Sequence, residues 1–417
     1  MEMLSSVIED RFNWVIRFFL CLMIFWLPYS PAVIETSVII GLILWIVKRT
    51  IAGKRPNIIP ATPLNKPIFF FLIVCVLSAA ISAFWRESLP NFLTKTLEWF
   101  IVYFLVIDAV TTRKHIYIIL CVFLLTLVAT ALDSLVQYYV TYKDIFLGHV
   151  IEPGARATAG FKTPNGLGAY LTGAIPIVLA WVFRKDTRLR YRLVIALLLV
   201  LLVWSVTVTF SRGAWLTVFL GAMFFTLLYG FHRRHLEFYC TFGLLLILVT
   251  LLLLFGFILT NDWNLPSLRY GTAYWRLQVW ADILKMIQDR PILGHGLNTF
   301  MRAFEAYRSD PGTNPTYAHN SYLQLTAETG LIGLVAFLWI FRNLFRWFLQ
   351  FLTAYGIKND DLIIPAMGVL SAIFAFLFQS FFDNQFYSLQ LVAYLWFLVG
   401  LFVVMVKEIR WQNTNAH

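Results

Sequence analysis

Apolar runs of about 20 residues recur along the whole chain, separated by short polar stretches, and each is long enough to cross a bilayer as a helix. Twelve are predicted: Asn13 to Leu27, Ala32 to Val47, Pro67 to Phe84, Asn91 to Val110, Ile116 to Val140, Gly166 to Phe183, Leu193 to Thr209, Ala214 to Gly230, Phe238 to Thr260, Leu331 to Leu349, Leu362 to Phe382 and Tyr387 to Val406. The loops after the even-numbered segments, with both termini, carry about twice the Lys and Arg of the other side, which places both termini in the cytoplasm. On the outer side two connections are long, Thr141 to Asn165 and Asn261 to about Thr329, while the rest are tight, such as Ser211-Arg212-Gly213. Long loops in a compact domain usually carry function. The chain therefore reads as a single membrane domain, residues 1–417, with chemistry expected in the outer loop 261–329.

Composition agrees. Of 417 residues, 60% are hydrophobic and 13% charged, with a mean hydropathy of +0.74, against roughly 45–50% and 25% in soluble domains. The formal charge of +11 is accounted for by inner-side Lys and Arg, so no nucleic-acid partner is expected. Cys21, Cys75, Cys121 and Cys240 lie in or beside apolar runs without CxxC spacing, which implies neither a disulfide framework nor a zinc site. The N-terminus, MEMLSSVIEDRFNW, has acids before its first apolar run and no small-residue cleavage site, so that segment is expected to stay as an anchor. No GxGxxG or P-loop is present, the acidic pair Asp360-Asp361 falls on the inner side, and HRRH at His232 to His235 reads as membrane-surface charge. No cofactor or metal is expected.

The long outer loop has internal order. YWRLQVWADILKMIQDR, Tyr274 to Arg290, has helical period, with Arg276, Trp280, Ile283 and Ile287 on one stripe and Gln278, Asp282, Lys285 and Asp289 nearly opposite. Arg276 opens the apolar stripe, either as a snorkelling side chain or as an inward anion ligand. Arg290 closes the stretch and is taken as a further substrate contact. Pro291 and the glycines around His295 should then turn the chain, and Phe300, Phe304 and Tyr307 form a second short apolar face. Both stretches are expected to lie at the membrane surface and roof a cavity. In YAHNSYLQLTAETGLIG, His319 and Asn320 stand where loop gives way to a helix that bends at Gly330. His319, Tyr322, Leu323 and Thr326 share a face, and Glu328 points away. An imidazole at a helix N-terminus tends to stay neutral, as a general base must, but it also serves as a plain cap. Arg212, in the tight turn of VTFSRGAW, reads alone as an interface anchor. Together, Arg212, Arg276 and His319 are what is needed to clamp the phosphates of a lipid-linked donor and activate an acceptor hydroxyl. Arg156, Lys162 and Asn165, the last in TPNGLG, add candidate substrate contacts, as do Asn320 and Tyr322, with a structural turn as the alternative for TPNGLG.

The ordered set TPNGLGAYL, TFSRGAW, YWRLQVWADILKMIQDRPILGHGLNTF and AHNSYLQLTAETGLIGL resembles the O-antigen ligase and polymerase superfamily of bacterial envelope glycosyltransferases. The resemblance spans about Arg156 to Leu349 by motif, and the HN-x-YLQL-x-AETG-x-IG run is its most specific part. It implies a twelve-helix GT-C type fold and a periplasmic active site roofed by the long loop. It also implies glycan transfer from undecaprenyl pyrophosphate without metal or nucleotide, at the bacterial inner membrane. In the ligase branch the acceptor is a sugar hydroxyl of lipid A-core, and the product is complete lipopolysaccharide. By motif, the family's essential histidine falls on His319 and its donor-binding arginines on Arg212 and Arg276. Three alternatives remain: a polymerase using the same donor; a protein O-oligosaccharyltransferase, disfavoured because the chain ends soon after its last predicted helix; and a twelve-helix transporter. A transporter would place ionisable groups at mid-membrane, whereas Lys95, Glu98, Asp133 and Asp383 fall towards segment ends.

Overall fold

In a computed structural model the described residues are 2–51, 59–184, 187–233, 241, 245, 248, 272–313, 315–355 and 361–415. They are almost entirely helical: α1 (Glu2–Trp26), α2 (Pro31–Ile51), α3 (Asn65–Ile81), α4 (Trp85–Asn91), α5 (Leu97–Ala109), α6 (Arg113–Val136), α7 (Pro164–Val182), α8 (Leu189–Thr207), α9 (Arg212–Arg233), α10 (Thr272–Asp289), α11 (Phe300–Phe304), α12 (Ser321–Tyr355), α13 (Ile363–Gln379) and α14 (Leu389–Asn415). Seven of these stretches are long and apolar enough to span a membrane, and α3 and α13 are shorter apolar helices. The protein is an all-α, multi-pass integral membrane protein. Eleven of the predicted segments coincide with described helices. Of the ninth, Phe238 to Thr260, only residues 241, 245 and 248 are described, and the start of the long loop, Cys240, Lys54, Arg55, Lys185, Arg234, His235, Lys358 and Asp360 lie outside the described residues.

Two departures have local causes. The segment predicted over Asn91 to Val110 begins with α4 and a π-helical turn at Phe92–Thr96 before α5, and Pro90 inside α4 withholds the N–H that a regular helix would use there. Asp282 was expected on the polar face of α10, yet it is buried with Val279, Ile283 and Met286. It is turned inward because Lys285 Nζ, Ser309 N and Ser309 Oγ all donate to it, at 2.8, 2.9 and 2.6 Å. Burial alone would raise the Asp282 carboxyl, but these donors hold it below its ordinary value.

The core explains how the segment 272–331 is held. α14 is almost wholly buried, packed against α5 and α13, while α13 packs on α7 and α9. α12 leans on α3 and carries α10 on its outer turns. Its bend falls at Gly330, with φ +71° and ψ −179°. A Cβ there would stand 2.0 Å from the Ile292 carbonyl oxygen, so the close approach and the left-handed φ both require glycine. The break lets 291–297 dock on 327–331: His295 N donates to Ala327 O, Gly296 N to Glu328 O and Leu331 N to Pro291 O. α10 and α11 close over this knot through Val279, Ile283, Met286, Phe300 and Phe304.

Candidate active site

His319 stands just before α12 with φ +50°, a left-handed conformation in a non-glycine residue. Asn320 is the cap: its Oδ1 accepts from Tyr322 N and Leu323 N at 3.0 and 3.1 Å. Ser321 then latches α12 to the loop after α13, its N–H donating to Ser380 O and its hydroxyl to Asp383 O, at 2.9 and 2.7 Å. The latch brings Asp383 Oδ1 to 3.2 Å from His319 Nδ1. From the other side Trp280 Nε1 donates to Ala318 O at 2.9 Å, and the Trp275 ring meets the imidazole edge-on at 5.5 Å between centroids. Strain at His319 is thus held by three separate elements, which is characteristic of functional positions.

Asp383 fixes what His319 can do. Burial works against ionisation, but hydrogen bonds from His319, from the Asn384 N–H and from Asn165 hold the Asp383 carboxyl below the ordinary aspartate range. An ionised carboxylate beside Nδ1 accepts a hydrogen bond from the proton there, and in a neutral imidazole this arrangement makes Nε2 the acceptor. The His319 side chain is 33% exposed, enough for a group from outside the protein to reach it. Glu328, as expected, does not orient it.

Beside this pair lies a cavity of about 550 Å³ lined by Arg156, Asn165, Arg212, Arg276, Gln379 and Phe382, among others. Among the described residues its lining contains three arginines and no acid. Arg276 Nη1 donates to Phe382 O at 2.9 Å, one residue from Asp383. Arg156 is braced by Thr209 O at 2.7 Å and by Asn165 Oδ1 at 2.6 Å. Among the described residues no acceptor contacts the Arg212 guanidinium. Arg212 opens α9, so the free N–H groups of that turn add to the positive field. Gly213 allows the approach, because a Cβ there would meet Phe382 Cβ at 3.1 Å. Thr163 caps α7 by accepting from Gly166 N at 3.1 Å with Pro164 in the first turn, so TPNG is a helix-opening turn that also delivers Asn165 to the site.

The structure therefore gathers Arg156, Asn165, Arg212 and Arg276 around one cavity and sets His319 beside it. It does not bring the other candidates there. Lys162 is exposed outside the lining, and Asn320 is spent on the cap. Tyr322 packs inward with its hydroxyl donating to Leu377 O at 2.7 Å. Arg290, 14 residues beyond Arg276 on α10, is about 20 Å further along the helix. Sequence reasoning missed Asp383 as the partner of His319. The only available signal was an acid at the end of an apolar segment, in FFDN.

The described structure thus sets three arginines around one cavity beside a histidine–aspartate pair. Residues 197–338 match the sequence family described as O-Antigen ligase, so the resemblance to the O-antigen ligase superfamily holds over that stretch, which contains Arg212, Arg276 and His319. The chain is 28% identical over 188 residues to the ComP-specific O-oligosaccharyltransferase of Acinetobacter baylyi, covering 43% of this chain and 33% of that protein. It is 35% identical over 74 residues to a Rickettsia conorii protein that carries the name of a polysaccharide ligase, covering 16% and 18% of the two chains. The aligned parts span a third or less of either relative.

Proposed function

We propose that the protein is an O-antigen ligase that moves a glycan from undecaprenyl pyrophosphate to a sugar hydroxyl of lipid A-core, on the periplasmic face of the inner membrane, with both termini cytoplasmic. The observation that carries this reading is the cavity, with three arginines and no acid among its described lining residues, that adjoins the His319–Asp383 pair. As the anomeric C–O bond breaks, the leaving pyrophosphate gains negative charge. Fixed guanidiniums at Arg212 and Arg276 then stabilise the transition state more than the bound donor. Arg156, Asn165 and the α9 N-terminus extend the cradle. His319 Nε2 takes the proton of the acceptor hydroxyl as its oxygen attacks the anomeric carbon, a single displacement with inversion. The lipid pyrophosphate supplies the driving force, so the step calls for neither nucleotide nor metal.

A second reading, transfer to a protein hydroxyl, is favoured by the Acinetobacter alignment. One experiment separates them: purified protein in lipid, undecaprenyl-pyrophosphate-linked glycan and chelator, offered lipid A-core or a pilin-type protein, with wild type beside His319→Ala. Modified lipid A-core with wild type alone is the expected result. Modified protein would move the chain to the second reading, lengthening of the donor glycan would move it to a polymerase, and transfer by His319→Ala would remove His319 from the chemistry.

A further inference from the structure

A second outer-face cavity, of about 430 Å³, lies across the His319–Asp383 pair from the arginines and differs from them in character. Gln324 forms the partition. It lines the second cavity, accepts from Ala318 N at 3.1 Å and bonds Asn384, the chain neighbours of His319 and Asp383. The cavity walls include Glu35, Lys95, Asn298, Thr316, Tyr317 and Tyr387. Its remaining charges are consumed within the protein: Glu87 pairs with Arg302, and Glu328 is buried beneath four donors.

Three features call for an occupant. Asn298 is held at φ +57° by its N–H bond to Glu328 Oε2 at 2.8 Å, and its Nδ2 is buried without an acceptor. An orphaned buried donor is costly, and strained backbone collects at ligand contacts. Glu35 and Lys95, both exposed, make no hydrogen bond or ion pair among the described residues. Tyr317 is 40% exposed and packs its ring near that of Tyr387, with centroids 6.3 Å apart, forming an aromatic ledge at the mouth.

Unspent amide, carboxylate and hydroxyl groups around an aromatic ledge suit a hydroxylated, weakly polar ring system, whose hydroxyls use the polar groups while its C–H face lies on the ring. The free carboxylate of Glu35 is matched by the free ammonium of Lys95, so an anionic group finds here none of the cation excess that the three arginines offer. We propose that this cavity receives the uncharged glycan end of the acceptor, with the Asn298 amide donating to a sugar hydroxyl and Tyr317 stacking on the ring. The assignment rests on the glycan-transfer reading above. It makes the two cavities a sorting device, in which charge sends the pyrophosphate to one side of His319 and the neutral sugar to the other.

The test uses Asn298→Gly, which removes the amide without straining a left-handed backbone, and Tyr317→Ala at the exposed ledge. In the transfer assay each should raise the acceptor KM about tenfold, the worth of one lost hydrogen bond or stacking contact, while donor KM and kcat stay near wild type. An acceptor KM within about twofold of wild type in both variants would overturn the proposal. Saturation-transfer NMR with delipidated core oligosaccharide gives a readout independent of transfer. Binding to wild type that both variants weaken supports the cavity even if no transfer occurs, in which case only the ligase reading falls. Equal binding of the same oligosaccharide after oxidation of its primary hydroxyls to carboxylates would refute the charge sorting.

Discussion

The arginine cavity and the Glu328 knot lie at the same end of the helix bundle and are both built around ionisable groups, yet they use them in opposite ways. At Glu328 every polar atom is spent: Asn298 N, Phe300 N, Gln324 Nε2 and Tyr387 Oη donate to its carboxylate, at 2.8, 3.3, 3.2 and 2.9 Å. Among the described residues no acceptor is supplied to Arg212, and Arg276 and Arg156 are braced there by carbonyl and amide oxygens. A buried acid whose hydrogen-bonding capacity is filled from within the protein holds a fold together. A set of cations braced but not neutralised is kept for something that arrives from outside. The two regions should therefore fail differently when altered.

The largest expected effect is on stability at the knot. Glu328→Leu leaves two backbone N–H groups, an amide and a phenol without their acceptor and should cost about 3–5 kcal/mol, read as a fall in melting temperature in detergent. Arg212→Ala should abolish transfer while leaving the melting temperature unchanged. If the two variants lost stability alike, the division between structural and substrate-directed charge would collapse. Gly330→Ala comes next. Its Cβ would overlap the Ile292 carbonyl, so about 3 kcal/mol or more should be lost, and amide exchange should rise first in 291–297.

A smaller effect belongs to the pair that joins the two regions. Asp383→Asn keeps the shape but removes the charge that holds the proton on His319 Nδ1. Transfer should fall about 100-fold, at the scale of general-base catalysis, with donor affinity unchanged. Near-normal transfer would mean that Asp383 only shapes the loop.

The smallest concerns His295, buried in the knot with Nε2 3.0 Å from Met286 O. Burial, aided by the charge of Arg290, lowers its protonation tendency against the opposing Met286 bond. The unfolded chain therefore takes up a proton near pH 6.5 that the folded one refuses. Its contribution is present above that pH and is lost as pH falls through the lower folded value. Exchange of amides 291–300, corrected for intrinsic rates, should quicken between about pH 7.5 and about pH 5.5 in wild type, and His295→Gln should flatten that dependence.

Much of this arrangement is written locally in the chain. Apolar length predicts the helices, the glycine in AETG predicts the bend at Gly330, and the SRG turn sets Arg212 at a helix start. What is not legible depends on partners far away in sequence. Asp383 meets His319 across 64 positions, so neither residue alone announces the pair. Asp282 sits on a face that periodicity assigns to water, and its burial rests on Ser309, 27 residues on, together with the nearby Lys285. Asn298 gains meaning only because the bend at Gly330 brings Glu328 beneath it.

The most direct test of the central claim is donor affinity, measured as binding of undecaprenyl-pyrophosphate-linked glycan to wild type, Arg212→Ala, Arg276→Ala and His319→Ala in lipid nanodiscs. The account predicts that each arginine variant loses about tenfold or more in affinity, while His319→Ala binds like wild type and fails only in transfer. Undiminished donor binding by both arginine variants would contradict it.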